Sequence, residues 1–170
     1  MTPSDKTLDD LWGMIKDIRF AMFTSRHSGG EHQGHLHSRP MTTQNKDLDE
    51  GRLWFFMSRR SDPVADIESD GAVNLAYADP GEDTYVSVAG QARVVEDTAK
   101  ARELWSKMAD AWFAGGPEDP DLALVAVDVQ HAHYWDVKES KLTQFLVMAK
   151  AAVTGKEPKL GESGEVRVAR

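Results

Sequence analysis

An unbroken apolar run at positions 53–57, Leu-Trp-Phe-Phe-Met, constrains this chain more tightly than any other stretch. It is too short for an ordinary helix and rich in aromatics, so it fits a strand buried on both faces. Ser58, Arg59 and Arg60 follow at once, and Ser61 stands where it would N-cap a helix starting at Asp62. The first turn of such a helix offers unpaired N–H groups and a positive dipole where two guanidinium groups are already gathered. A phosphate fits such a place, and the competing reading is that both arginines are solvated turn residues.

The remainder of the chain bounds what that site can serve. With 170 residues, the length suits one domain, or a subunit that completes its core by dimerising. A net charge of −8 argues against general affinity for nucleic acid or an anionic membrane, so an anion site here has to be local. The absence of cysteine excludes disulfides, thiolate catalysis and cysteine-ligated metal centres. The polar start, MTPSDKTLDD, lacks the look of a signal peptide, and no apolar run is long enough to span a bilayer. A cytoplasmic protein is the expectation.

From Thr7 the residues Leu8, Leu11, Trp12, Ile15 and Ile18 recur at helical spacing, with Asp10 completing a capping box. Residues 19–24 read as a strand, and a Gly-Gly turn at 29–30 makes a hairpin with a second strand over about 36–43. Pro40 implies that this second strand is at an edge or bulged, because proline cannot donate to a ladder. Residues 72–78 and 84–95 are two more strands, the second with Val86, Val88, Ala92 and Val94 on one face and Gly90 marking a bulge or close approach. A helix is expected from Asp97 to the Gly-Gly-Pro at 115–117, with Ala101, Leu104, Trp105, Met108 and Trp112 on its apolar stripe. A hydrophobic strand at 122–129 continues through a bend at Gln130 into 131–137, where His131, His133, Trp135 and Val137 share a face. A last amphipathic helix covers 138–153, with Leu142, Phe145, Leu146, Ala149 and Val153 on its apolar side. After Gly155 comes a frayed tail, or an arm that orders against a partner subunit.

His27, His32, His35 and His37 crowd the hairpin loop, and the last two share a strand face. No carboxylate or further histidine stands at a recognisable metal spacing, so a solvated polar loop is the reading and no metal ligand is assigned. About seven strands joined by short turns, with helices at the start, middle and end, most economically curl into a small antiparallel barrel with packed helices.

The ordered segments HSRPMTTQ, GRLWFFMSRRS, VNLAYADP, YVSVAGQARVVED, YWDVKESKL and AKAAVTGKEPKLGESGEV resemble the general stress protein branch of the pyridoxamine 5′-phosphate oxidase-like, FMN-binding split-barrel family. The resemblance covers nearly the whole chain. It implies a mainly β, α+β split barrel over residues 1–153, with a polar tail or dimer arm over 154–170. It also implies a homodimer with a flavin mononucleotide in each of two interface clefts, FAD being the larger alternative cofactor. By the resemblance, Arg39, Pro40, Met41 and Thr42 lie along the isoalloxazine ring and ribityl chain, while Phe56, Met57 and Ser58 border the same cofactor. Arg59, Arg60 and Ser61 match its phosphate turn, and Trp135 from the second subunit walls the ring. One departure stands out: Pro63 occupies the position where relatives carry a phosphate-neutralising lysine.

The resemblance favours an FMN-dependent oxidoreductase that moves electrons between a reduced nicotinamide or deazaflavin and a small organic molecule. No catalytic side chain is assigned, although His133 is a candidate proton donor. The alternatives are a flavin-storing protein without turnover and a cofactor-free interaction module.

Overall fold

The computed structural model describes residues 6–48, 50–137, 141–158, 160–166 and 168. Its centre is a seven-stranded antiparallel sheet in the order β2-β1-β4-β5-β6-β3, with β7 also paired to β6. The strands are β1 (Ala21–Arg26), β2 (Leu36–Met41), β3 (Arg52–Ser58), β4 (Ala72–Asp79), β5 (Thr84–Val95), β6 (Leu122–Asp136) and β7 (Glu162–Val166). Pro40 lies on β2, at one end of this order, where its missing N–H costs no ladder bond. β6 is long enough to pair along one side with two strands end to end. Residues 122–128 face β3, and residues 132–136 face β7.

The sheet curls until its two ends meet. Beyond β2, the Gln44 N–H donates to the Trp54 carbonyl of β3 at 2.8 Å, and Asn45 Oδ1 accepts from the Trp54 N–H at 2.7 Å. Phe23 of β1 meets Phe55 of β3 edge to face, with ring centroids 5.4 Å apart, although three strands separate them in the sheet order. Such a pair adds about 0.5–1.5 kcal/mol beyond its buried area. The α+β split barrel expected from the sequence is therefore the observed fold.

Helices on both faces explain why 53–57 is uniformly apolar. Leu53, Phe55 and Met57 enter the main core with Leu11 and Ile15 of α1 (Leu8–Ile15) and Val64 and Ile67 of α2 (Asp62–Ser69). Trp54 and Phe56 enter a second core with Ala101 and Leu104 of α3 (Thr98–Leu104) and Ala109 of α4 (Lys107–Asp110). α1 carries the expected Thr7/Asp10 capping box but stops at Ile15, and Ile18 packs on the core from outside it. The first strand starts two residues later than expected.

Several expectations change. The helix read from Asp97 to Gly115 is two short ones, broken at Trp105, whose backbone is extended. Phe113 fills the core there, while Met108 and Trp112 stay exposed. The segment after Gly155, read as a tail or partner-dependent arm, supplies β7 within its own chain, because Gly164 and Val166 face inward while alternate residues are polar and exposed. The last helix, α5 (Lys141–Thr154), has Phe145, Leu146, Met148 and Val153 exposed. The expected first turn at 138–140 and the Leu142 side chain lie outside the described residues.

At Gly90 the register between β5 and β6 slips, leaving Gln130 as the extra residue between Val129 and His131. The bend expected there is real, and the glycine is required. A Cβ at Gly90 would stand 2.6 Å from Val127 Cγ1 and 2.8 Å from the Asp128 carbonyl oxygen. Among the described residues, no helix is long and apolar enough to cross a membrane.

Candidate functional site

The turn after β3 holds the two arginines expected to gather an anion, and carboxylates already hold both. Arg59 Nη1 donates to Glu96 Oε1 at 2.7 Å, and its Nη2 donates to the Leu122 carbonyl at 3.0 Å. Arg60 Nε donates at 3.0 Å to Asp121, whose other oxygen accepts from Ser58 Oγ at 2.7 Å. The hydrogen bond to Glu96 raises the Arg59 pKa, and that to Asp121 raises the Arg60 pKa. Asp121 is held below the usual carboxylate range, first by the Ser58 hydroxyl and then by Arg60. These pairs face solvent, where a competing anion meets little resistance.

Ser61 does occupy the N-cap of α2 in extended backbone, but its hydroxyl makes no cap bond. It donates instead to the Ser58 carbonyl at 2.6 Å, tightening the turn. Pro63 lies in the first turn of α2, where proline is well tolerated.

Arg39 is placed differently. On β2 it stands opposite Phe23, so its side chain points to the inner side of the sheet. Its Nη2 donates to His37 Nδ1 at 3.0 Å, whereas Nη1 is buried with no hydrogen-bond partner among the described residues. Burial lowers its pKa, with Asp66 and Asp62 acting in the opposite direction. An orphaned guanidinium nitrogen out of contact with water is costly, and an acceptor supplied by a ligand would satisfy it.

Beneath this arginine lies a polar network. His37 Nδ1 is also 2.8 Å from His27 Nε2, and His27 Nδ1 is 3.5 Å from Asp66 Oδ2. Asp66, only 1% exposed on α2, accepts from Ser25 Oγ at 3.0 Å and from the Ser28 N–H at 2.9 Å. Burial pushes its carboxyl upward, but the Ser28 and Ser25 bonds with the charge of His27 outweigh burial and hold it below the ordinary value. The loop histidines are thus partly a scaffold for Arg39. Asp66 was detectable in principle, as a carboxylate between Val64 and Ile67 on the buried side of α2; its partners were not.

The other expected residues fall into separate environments. The side chains of Phe56 and Met57 are buried in the two different cores, which leaves their backbone and Ser58 to border a ligand. Pro40, Met22, Ala76, Ser87 and His133 form a row across the outer face of the sheet, and Trp135 extends it by one pair along β6. Trp135 is 46% exposed, with its ring 5.0 Å from that of His133. Arg39 points to the inner side of the sheet, opposite the buried Phe23, whereas Trp135 lies on the outer face beside the inward Tyr134. Trp135 is therefore not brought to the Arg39 of its own chain.

A cleft of about 690 Å³ opens elsewhere, between α1 and the β4–β5 turn. Asp9, Asp17, Asp79, Glu82 and Asp83 line it together with Lys6, a charge balance that repels phosphate.

Comparison with known proteins gives a consistent picture. Residues 6–159 match the family described as pyridoxamine 5′-phosphate oxidase like. Protein bli-3 of Neurospora crassa is 27% identical over 175 residues, covering 96% of this chain and 81% of that protein. A general stress protein 26 structure from Jannaschia sp. is 29% identical with a TM-score of 0.67, covering 92% of this chain and 95% of the other. The general stress FMN/FAD binding protein of Xanthomonas citri is 31% identical with a TM-score of 0.66, covering 79% of this chain and 90% of its own.

Proposed function

Because the chain belongs to the pyridoxamine 5′-phosphate oxidase-like family, we propose that it binds a flavin, with FMN as the cofactor, and serves as an oxidoreductase on a small molecule. The observation that carries this reading is the buried, unpartnered Nη1 of Arg39. Such an atom fits an anionic or carbonyl-rich ligand lying over the β2 edge, where Pro40 leaves the strand without a neighbour.

In this reading Arg39 takes the phosphate, because among the described residues its guanidinium has no carboxylate hydrogen bond to give up. Arg59 and Arg60 support it by turning from Glu96 and Asp121, and the Ser61 hydroxyl closes the turn. Pro40, Met41 and Thr42 run along the ring and ribityl chain, with the backbone of Phe56, Met57 and Ser58 alongside. A flavin held there would supply hydride chemistry between a reduced nicotinamide or deazaflavin and an oxidised organic acceptor that also takes up a proton. The chain's own groups position the ring, exclude water and set which acceptor enters.

A homodimer completes the site. Trp135 and Arg39 lie on opposite faces of the sheet in one chain, so a second copy supplies the ring wall, and the exposed Phe145, Leu146 and Met148 of α5 are apolar area for such an interface. The relative from Xanthomonas citri, an FMN/FAD binding protein by description, supports the cofactor class.

Purified protein tests the reading directly. Flavin absorbance that bleaches on adding a reduced nicotinamide or deazaflavin, and returns with an acceptor, is the expected result. Colour without bleaching by either donor class would leave storage as the function, and a colourless protein that takes up no added FMN would remove the flavin reading altogether.

A further inference from the structure

Apart from the loop histidines, a second pair of imidazoles, joined by a carboxylate, lies on β6. His131 and His133 project from the same face of β6, two residues apart. Glu165 of β7 stands directly across from His133 in the strand pairing. Its Oε1 is 3.8 Å from His131 Nε2 and 3.8 Å from His133 Nδ1. One ligand atom from each of the three lies within 4.8 Å of the others.

We propose that His131, His133 and Glu165 form a binding site for a divalent first-row transition metal ion. Ligand atoms about 2.1 Å from a tetrahedral ion sit about 3.4 Å apart, so side-chain rotations of less than about 1 Å per ligand close the present arrangement onto a metal. The strands fix the Cα positions through the β6–β7 ladder, and only the side chains need move. Two imidazoles and one carboxylate are a borderline donor set that suits zinc, nickel or copper and disfavours magnesium and calcium, which seek oxygen ligands. His131, His133 and Glu165 side chains are 50%, 37% and 61% exposed, leaving the remaining coordination positions open to water.

Sequence spacing conceals the site. His131 and His133 make only a two-residue pair, and the third ligand comes from 32 positions further on, in a segment whose strand character is weak. The proposal does not rest on the flavin reading: His133 is a candidate proton donor in that reading, but the three ligands are held by the β6–β7 ladder and the measurement requires no flavin chemistry.

The test uses the full-length protein, free of any histidine tag, treated with chelator and titrated with Zn²⁺ by calorimetry. One ion per chain is expected. His131→Ala and His133→Ala should each weaken uptake at least about tenfold, since loss of a direct ligand should cost no less than loss of its supporting shell. Glu165→Gln should weaken it in the same direction, while His32→Ala should leave it unchanged. With Cu²⁺ as the probe, electron paramagnetic resonance should show coupling to imidazole nitrogen that both His131→Ala and His133→Ala diminish. No saturable uptake, or uptake indifferent to both histidine variants, would overturn the assignment and leave the cluster as an imidazole–carboxylate contact. Circular dichroism on each variant separates ligand loss from unfolding.

Discussion

The guanidinium of Arg59 is held by Glu96, with Nη1 2.7 Å from Oε1, whereas the buried Nη1 of Arg39 has no partner among the described residues. The two cations are therefore unequally available to a phosphate. Arg39→Ala should weaken FMN by about tenfold or more, as expected for a charge-assisted hydrogen bond of about 1.5–3 kcal/mol, and should affect riboflavin far less. The double variant Arg59→Ala/Arg60→Ala should lose less than Arg39→Ala. Fluorescence titration with both flavins reads the ratio; equal losses for FMN and riboflavin in Arg39→Ala would refute the phosphate role.

Charge at the first turn of α2 should be limiting. Pro63 occupies that turn with Asp62 beside it, so Pro63→Lys adds a cation to a turn that already holds an acidic side chain. FMN should bind several-fold tighter, with riboflavin unchanged. Glu96→Gln should act in the same direction by releasing Arg59.

Asp66 makes stability pH-dependent at the acid end. Its folded pKa lies below the ordinary 3.8, so its contribution is complete above that value and disappears as pH falls through the lower folded one. Asp66→Asn removes the charge while keeping the shape, and its unfolding midpoint should vary less than the wild type's below about pH 5. At neutral pH Asp66→Ala should cost on the order of 1–3 kcal/mol, because Ser25 and the Ser28 N–H lose a buried acceptor. Thermal melts across pH measure both.

Gly90→Ala forces a Cβ to within 2.6 Å of Val127 and 2.8 Å of the Asp128 carbonyl. Overpacking of this kind costs about 1–3 kcal/mol. Calorimetry should show the melting temperature falling by about 2–4 °C per kcal/mol.

If α5 is an interface helix, a charge on its apolar side should dissociate the dimer without unfolding the chain. Phe145 is 69% exposed and belongs to neither core, so Phe145→Glu should leave the melting of the fold nearly unchanged. Light scattering should report a monomer, with flavin affinity falling alongside. A variant that stays dimeric would place the interface elsewhere.

Much of the fold was legible because it is local. The five apolar residues at 53–57, the capping box at Thr7 and the Pro40 edge strand each follow from a residue and its neighbours. The broken helix at Trp105 was not, since Met108 and Trp112 keep helical spacing while the chain turns to bring in Phe113. In the site, Arg59 and Arg60 were found by adjacency, but their partners Glu96 and Asp121 come from strands and turns remote in sequence. The same holds for Asp66 beneath the hairpin and for Glu165 opposite His133.

The extra residue at Gln130 works as a parity switch. Upstream of it, odd-numbered positions of β6 face the main core, namely Ala123, Val125, Val127 and Val129; downstream, even-numbered Ala132 and Tyr134 do. β5 keeps one parity throughout, with Val86, Val88 and Ala92 inward on both sides of the slip. Were Gln130 paired in regular register instead of bulged out, the inward alternation would have continued through His131, His133 and Trp135, driving two imidazoles and an indole into the apolar interior. A single-residue deletion at Gln130 should consequently be tolerated far better than one elsewhere in the strand, because it joins Val129 to His131 in continuous register with β5 and keeps Ala132 and Tyr134 facing inward.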